Sequence, residues 1–267
     1  MPTAQLAAAQ LAYDDHARTG PDIPVLLVHG HPFDRSMWDP QAAYLAARGH
    51  RVVVPDLRGY GHSSGPDATG LDTFADDLIG LADHLALETF ALGGLSMGGQ
   101  IVMQTVRDHP GRVAALLLAD TFAEAETPDG AKAREAAANR VLTEGMATYA
   151  EELLPKMVSP TTRRENPKVA DHVLTMMQNA PANGAAAALR ARAKRPDYRQ
   201  TLREVTVPTL VVVGSEDEFT PVADAQLLHQ LVPGSELAVL DNAGHLPNLE
   251  RAAEFNNVLG RFLDRTK

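Results

Sequence analysis

The sequence predicts an α/β protein: a mostly parallel sheet with helices on both faces. Three observations lead there. Runs at Pro24-Val25-Leu26-Leu27-Val28, Arg51-Val52-Val53-Val54-Pro55, Val113-Ala114-Ala115-Leu116-Leu117-Leu118-Ala119 and Val207-Pro208-Thr209-Leu210-Val211-Val212-Val213-Gly214 are continuously apolar. Short runs without in–out alternation are how strands buried on both faces read. Segments of helical spacing, about a dozen residues long, alternate with them. Third, a glycine-flanked serine, Gly94-Leu95-Ser96-Met97-Gly98, stands between a strand-like run, Thr89-Phe90-Ala91-Leu92, and a buried helical run, Gln100-Ile101-Val102-Met103-Gln104-Thr105-Val106.

The elements follow in order. Residues 5–14 alternate weakly and read as one or two edge strands, and Gly20-Pro21-Asp22 marks a turn. After strand 24–28 comes the loop His29-Gly30-His31-Pro32-Phe33-Asp34. Residues 36–48 have helical spacing of Met37, Tyr44 and Leu45, closed by Gly49. Strand 51–55 runs into a polar, glycine-rich loop over 56–63. Residues 73–86 form an amphipathic helix with Phe74, Leu78, Leu81 and Leu85 on one face. The serine turn and strand 113–119 come next, ending at Asp120. Strand 207–214, a helix over 223–231, strand 237–240 and a helix over 248–263 complete the chain.

Between them, residues 121–200 change character. Alanine, charge and methionine dominate, no β-branched run appears, and Pro128, Pro155, Pro160, Pro167, Pro181 and Pro196 punctuate the segment. It reads as a helical cap inserted into a core made of 1–120 and 201–267, with each proline breaking a helix.

Composition bounds the rest. The 267 residues suffice for one large domain or one domain with an insertion, and 45% hydrophobic residues suit a sizeable core. A net charge of -10 disfavours nucleic acid or an anionic membrane as partner. The chain has no cysteine, which excludes disulfides, thiolate metal sites and a cysteine nucleophile. Its start, Met1-Pro2-Thr3-Ala4-Gln5-Leu6, is no signal peptide, and no apolar run approaches the ~20 residues of a membrane span. A cytoplasmic protein is expected.

The chemistry centres on Ser96. A serine hydroxyl is a poor nucleophile until a base takes its proton, and histidine suits that task near neutral pH. The imidazole in turn needs a carboxylate to fix its tautomer and stabilise its charged form. Asp217 follows strand 207–214 and His245 follows strand 237–240. All three lie past strand C-termini, where open α/β sheets place their sites. Their chain order is Ser, Asp, His. Asp120 is a reserve candidate for the acid. His29, His31 and Asp34 suggest a metal site only weakly, because Arg35 follows where a fuller H-x-H-x-D-H cluster would have histidine. No cofactor or metal is expected. Met97, Met146, Met157, Met176, Met177 and Phe122 read equally as an apolar pocket wall or as ordinary packing.

These residues resemble the α/β-hydrolase superfamily, in its serine-triad esterase and 3-oxoadipate enol-lactonase-like branch. The likeness covers essentially the whole chain. Besides the G-x-S-x-G turn, Val28-His29-Gly30-His31-Pro32 resembles the family's first active-site loop. Asp56-Leu57-Arg58-Gly59-Tyr60-Gly61-His62-Ser63 resembles its D-x-R-G-x-G-x-S loop, and Gly244-His245 with Leu249-Glu250 its histidine loop. The resemblance implies an eight-stranded, mostly parallel sheet with a helical cap between strands six and seven. It also implies an oxyanion hole from the backbone N–H groups of His31 and Met97. The His31 side chain and Phe122 are candidates for substrate contact, while Asp56 and Arg58 are expected to brace loops.

The expected activity is hydrolysis of a small carboxylic ester or lactone through an acyl-enzyme, with Ser96 as nucleophile, His245 as base and Asp217 orienting it. A serine nucleophile argues against dehalogenases and epoxide hydrolases, which use aspartate. Carbon–carbon bond hydrolases and cofactor-free perhydrolases share the triad, and the fold also hosts non-hydrolytic biosynthetic enzymes and ligand-binding members. The motifs do not separate these, and oligomeric state is not encoded in them.

Overall fold

The computed structural model describes residues 1–16 and 23–266. The turn expected at Gly20-Pro21-Asp22 lies outside the described residues. Eight strands form one sheet in the order β1-β2-β4-β3-β5-β6-β7-β8. They are β1 Thr3–Gln5, β2 Gln10–His16, β3 Val25–Val28, β4 Val52–Pro55, β5 Phe90–Leu95, β6 Val113–Ala119, β7 Thr209–Gly214 and β8 Glu236–Leu240. β2 pairs antiparallel with β1 and with β4, and the remaining neighbours are parallel.

The uninterrupted apolar runs have a simple cause. Successive side chains of a strand point to opposite faces, and here both faces are covered. In β3, Leu26 and Val28 enter one core cluster while Val25 and Leu27 enter the other. In β7, Val211 and Val213 divide from Leu210 and Val212 in the same way. On the first face lie α2 (Leu71–His84), α3 (Met97–Asp108) and α10 (Val222–Leu231), which contribute Phe74, Leu78, Ile101 and Leu228. On the second lie α1 (Asp39–Ala47) and α12 (Ala252–Asp264), with Leu45, Phe255, Leu259 and Phe262. Trp38 and Phe255 meet there at 6.0 Å between ring centroids. Truncating a buried aromatic such as Phe255 costs about 3–5 kcal/mol.

The insertion between β6 and β7 holds α4 (Pro128–Glu144), α5 (Met146–Met157), α6 (Pro160–Glu165), α7 (Pro167–Asn179), α8 (Ala182–Arg192) and α9 (Arg199–Arg203). Pro128, Pro160 and Pro167 occupy first turns, where proline's missing N–H costs nothing, and Pro181 caps α8. Pro155 departs from expectation: it lies inside the last turn of α5 rather than breaking it. The helix ends two residues later, so little of it is disturbed.

Other boundaries moved for local reasons. β5 runs through Gly93 and Gly94 to Leu95 instead of stopping at Leu92, because those glycines pair with Leu117 and Leu118 of β6. The helix expected over 36–48 opens as a short 3-10 turn, Arg35–Trp38, capped by the Asp34 side chain, which accepts from Ser36 N–H at 2.8 Å. The closing helix is split at Arg251 into α11 (Pro247–Glu250) and α12. No helix among the described residues is long and apolar enough to cross a membrane.

Candidate active site

Ser96 is the single residue between β5 and α3, with φ 58° and ψ -117°. That conformation costs of order 1–3 kcal/mol for a non-glycine residue and persists only when its surroundings enforce it. The surroundings do. Ser96 N–H donates to Ala119 C=O at 2.9 Å, and Ser96 C=O accepts from Thr121 Oγ1 at 2.9 Å. A Cβ at Gly94 would overlap the Gly98 carbonyl, and one at Gly98 would overlap the Val28 carbonyl oxygen. The glycines therefore let α3 start directly against β5 and β3. Gly30 does the same for the next loop, since a Cβ there would lie 3.0 Å from Leu95 O and 3.3 Å from Ser96 Cβ.

That loop carries His29 and His31. The His29 Nδ1–H donates to Gly30 C=O at 2.8 Å, and its Nε2 accepts from Leu57 N–H at 2.9 Å. Both nitrogens are engaged, which leaves His29 a neutral brace. The His31–Pro32 bond is cis. The His31 ring is 3% exposed and bridges two tyrosines, with Nδ1 at 2.7 Å from Tyr60 OH and Nε2 at 3.3 Å from Tyr149 OH. Burial pushes its pKa well below the ordinary value, and the charges of Arg192 and Arg134 add to that, so the ring is neutral at pH 7. The backbone N–H groups of His31 and Met97 find no backbone acceptor among the described residues, as expected of Met97 at a helix start.

Asp217 and His245 meet as the sequence spacing anticipated. His245 Nδ1 lies 2.7 Å from Asp217 Oδ2, so Nδ1 carries the proton and Nε2 is the free base. Asp217 Oδ1 accepts from Phe219 N–H at 2.8 Å and Thr220 N–H at 3.1 Å, and Oδ2 also accepts from the Thr220 hydroxyl. Burial alone would raise this carboxyl; the His245 ring and these donors outweigh it and hold the pKa below its usual value. Ser96, His31 and His245 line one cavity of ≈ 200 Å³ together with Phe122, Arg134, Tyr149, Leu153, Met157, Leu189, Arg192, Phe219 and Thr220. No hydrogen bond joins Ser96 directly to His245; such contacts commonly tighten only around substrate. A larger cleft of ≈ 390 Å³, near Arg35, His62 and Met176, is lined by Ser36, whose hydroxyl donates to Asp34 Oδ1 at 2.6 Å and lies 3.4 Å from His172 Nε2.

Asp120 is a different acid from Asp217. It is 1% exposed, sits at φ 45°, and its Oδ1 accepts from Gly214 N–H at 3.0 Å while Oδ2 has no partner. Burial, then the nearby Asp217 charge, pushes its pKa well above the carboxylate range. Asp217, not Asp120, is bonded to the His245 ring. Their polar atoms lie within 4.8 Å of one another.

Several supports carry weaker sequence signals. Glu250 Oε1 accepts from Gly244 N–H at 2.9 Å and Leu246 N–H at 3.2 Å, clamping the residues on either side of His245. Its Oε2 accepts from Ser159 N–H at 2.8 Å, at the start of α6. Arg58 forms a buried pair with Asp77, and Asp56 accepts from Arg35 and His62 N–H, so both brace loops as expected. Of the methionines, Met157 lines the cavity, whereas Met97, Met146, Met176 and Met177 pack in the core clusters. Phe122 lines it too, beneath the Arg195 guanidinium at 4.3 Å. Arg134, Tyr149, Leu189 and Arg192 belong to the insertion and follow no motif. The one hint in sequence is the pair of arginines in the last turn of the alanine-rich α8.

The alpha/beta hydrolase fold family matches residues 23–252. The chain belongs to that family. Among its relatives is 3-oxoadipate enol-lactonase 1 of Acinetobacter baylyi, 31% identical over 86% of this chain and 84% of the relative. A malate-bound thermophilic esterase from Thermogutta terrifontis superposes with a TM-score of 0.95 at 36% identity, covering 100% of this chain and 99% of the other. The enol-lactonase from Burkholderia xenovorans does so with 0.90 at 28% identity, covering 98% and 100%. Esterase and enol-lactonase are thus activities named among this chain's relatives, and its eight-stranded sheet is the family's.

Proposed function

We propose that this hydrolase cleaves a small carboxylic ester or lactone through an acyl-enzyme on Ser96. The observation that carries the reading is the 2.7 Å contact between His245 Nδ1 and Asp217 Oδ2, which leaves Nε2 as the ring nitrogen available to Ser96 in the cavity both residues line. Ser96 Oγ attacks the carbonyl carbon as its proton passes to His245 Nε2. The carbonyl π electrons move onto oxygen, and the N–H groups of His31 and Met97 receive that oxyanion, each such donor contributing about 3–4 kcal/mol. Collapse breaks the bond to the leaving oxygen, which takes the proton from His245. Water then loses a proton to His245, attacks the acyl carbon, and Ser96 departs with that proton. Asp217 stabilises the imidazolium at each stage.

A fluorophosphonate tests this reading. Stoichiometric labelling of the wild-type protein, lost in Ser96→Ala together with ester turnover, supports it. Labelling of another residue, or turnover kept in Ser96→Ala, overturns it.

A further inference from the structure

The cavity that holds Ser96 and His245 is also lined by two cations, and one of them has no carboxylate partner among the described residues. Two arginines line the cavity. Arg134 is paired with Glu126, which also meets Arg195. Arg192, the last residue of α8, has no carboxylate partner among the described residues; its Nε donates to Gln100 Oε1 at 3.2 Å. That contact fixes the guanidinium from behind, through a residue four positions past Ser96. Its two terminal nitrogens have no hydrogen-bond acceptor among the described residues, and the side chain lines the cavity. Tyr149 OH lines the same cavity. Burial, then the like charges of Arg134 and Arg195, lower the Arg192 pKa to about 9, so it remains a cation at neutral pH.

An unneutralised guanidinium in a small cavity is costly, and such groups mark sites where a ligand supplies the missing charge. The planar fork of an arginine matches a carboxylate in two parallel hydrogen bonds. The net charge of -10 repels anions at long range, so the attraction is local to the cavity. At ≈ 200 Å³ the cavity suits a small substrate.

We propose that Arg192, held by Gln100 and flanked by Tyr149, binds a carboxylate on the substrate, so that the preferred substrates are short esters or lactones carrying a second, ionised carboxyl group. This rests on Ser96 being the nucleophile of the same cavity. The carboxylate takes no part in bond breaking; it sets the position of the scissile carbonyl.

The test pairs an anionic with a neutral ester of the same skeleton: monomethyl succinate against dimethyl succinate. The wild-type protein is expected to favour the monoanion in kcat/KM by about tenfold or more. In Arg192→Gln that ratio falls at least about tenfold, chiefly through KM, and Arg192→Lys restores part of it. Independently of turnover, succinate should raise the melting temperature of Ser96→Ala but not of the Ser96→Ala, Arg192→Gln double variant. A wild-type preference for the neutral diester, or equal losses on both esters in Arg192→Gln, overturns the proposal. If Arg192→Gln does not fold, Arg192→Lys and the salt dependence of the wild-type ratio decide: a ratio unmoved by both overturns it. Failure to hydrolyse either ester, with succinate still stabilising in an Arg192-dependent way, refutes the nucleophile reading and leaves the anion site standing.

Discussion

The His245 amide donates to the Met157 carbonyl at 3.1 Å, so the loop that carries the proposed base hangs from the end of α5, inside the insertion. Glu250 reinforces the link by accepting from Gly244, Leu246 and Ser159 together. The insertion and the core therefore share one hydrogen-bonded joint directly behind the imidazole.

Breaking that joint should slow chemistry without touching the triad. Glu250→Gln keeps the size but turns an NH2 group toward a backbone donor, leaving a buried N–H unpaired at about 1–3 kcal/mol. The expected result is a lower denaturation midpoint and a lower kcat with a smaller change in KM, measured by urea titration and steady-state kinetics.

The elbow depends on an absent methyl group. In Gly98→Ala the new Cβ would overlap Val28 O and lie 2.8 Å from His29 O. Overpacking of this kind costs about 1–3 kcal/mol, and relief requires moving α3 or β3, which displaces Ser96 relative to the His31 loop. Circular dichroism melting and ester turnover should both fall, with turnover affected more than melting.

Acid should destabilise the protein through His29 and His31. Both are buried with pKa values lowered from 6.5, for burial first. Below 6.5 the unfolded chain gains protons that the folded chain refuses, so stability falls as pH drops from there toward the folded values. The limiting slope is about 1.4 kcal/mol per pH unit for each histidine. Urea midpoints between pH 7 and 5 should decline less steeply in His31→Gln than in the wild type.

Asp120 carries the opposite sign. Its folded pKa is raised, so its contribution is complete below the unfolded value of 3.8 and is lost as pH rises toward the folded one. Asp120→Asn keeps a neutral acceptor for Gly214 N–H and a residue type that tolerates positive φ. The variant should retain turnover within a few-fold at neutral pH and show a flatter decline of stability as pH rises above 3.8, followed by thermal melts upward from about pH 4.

Much of the fold is legible in sequence, because both faces of the central sheet are covered and strands such as β3, β4, β6 and β7 read as unbroken apolar runs. The nucleophile turn is legible because Gly94 and Gly98 are sterically required. Asp217 and His245 are legible from chain order and strand ends. The insertion is not, beyond its helical content. Arg192 and Tyr149 reach the cavity from α8 and α5, and their meeting depends on how helices without a shared sequence period pack over the sheet. Pro155 escapes the usual reading because a proline near a helix's final turn removes little. The raised pKa of Asp120 depends on its burial and then on an Asp217 that lies far along the chain and beside it in space.

The central claim is a covalent intermediate on Ser96. Rapid quenching of the wild-type protein with p-nitrophenyl acetate at acid pH, followed by peptide mass mapping, tests it directly. The account predicts one acetyl group on the peptide containing Ser96, formed within the burst and absent in Ser96→Ala. Steady ester turnover with no acylated Ser96 at any quench time would contradict it.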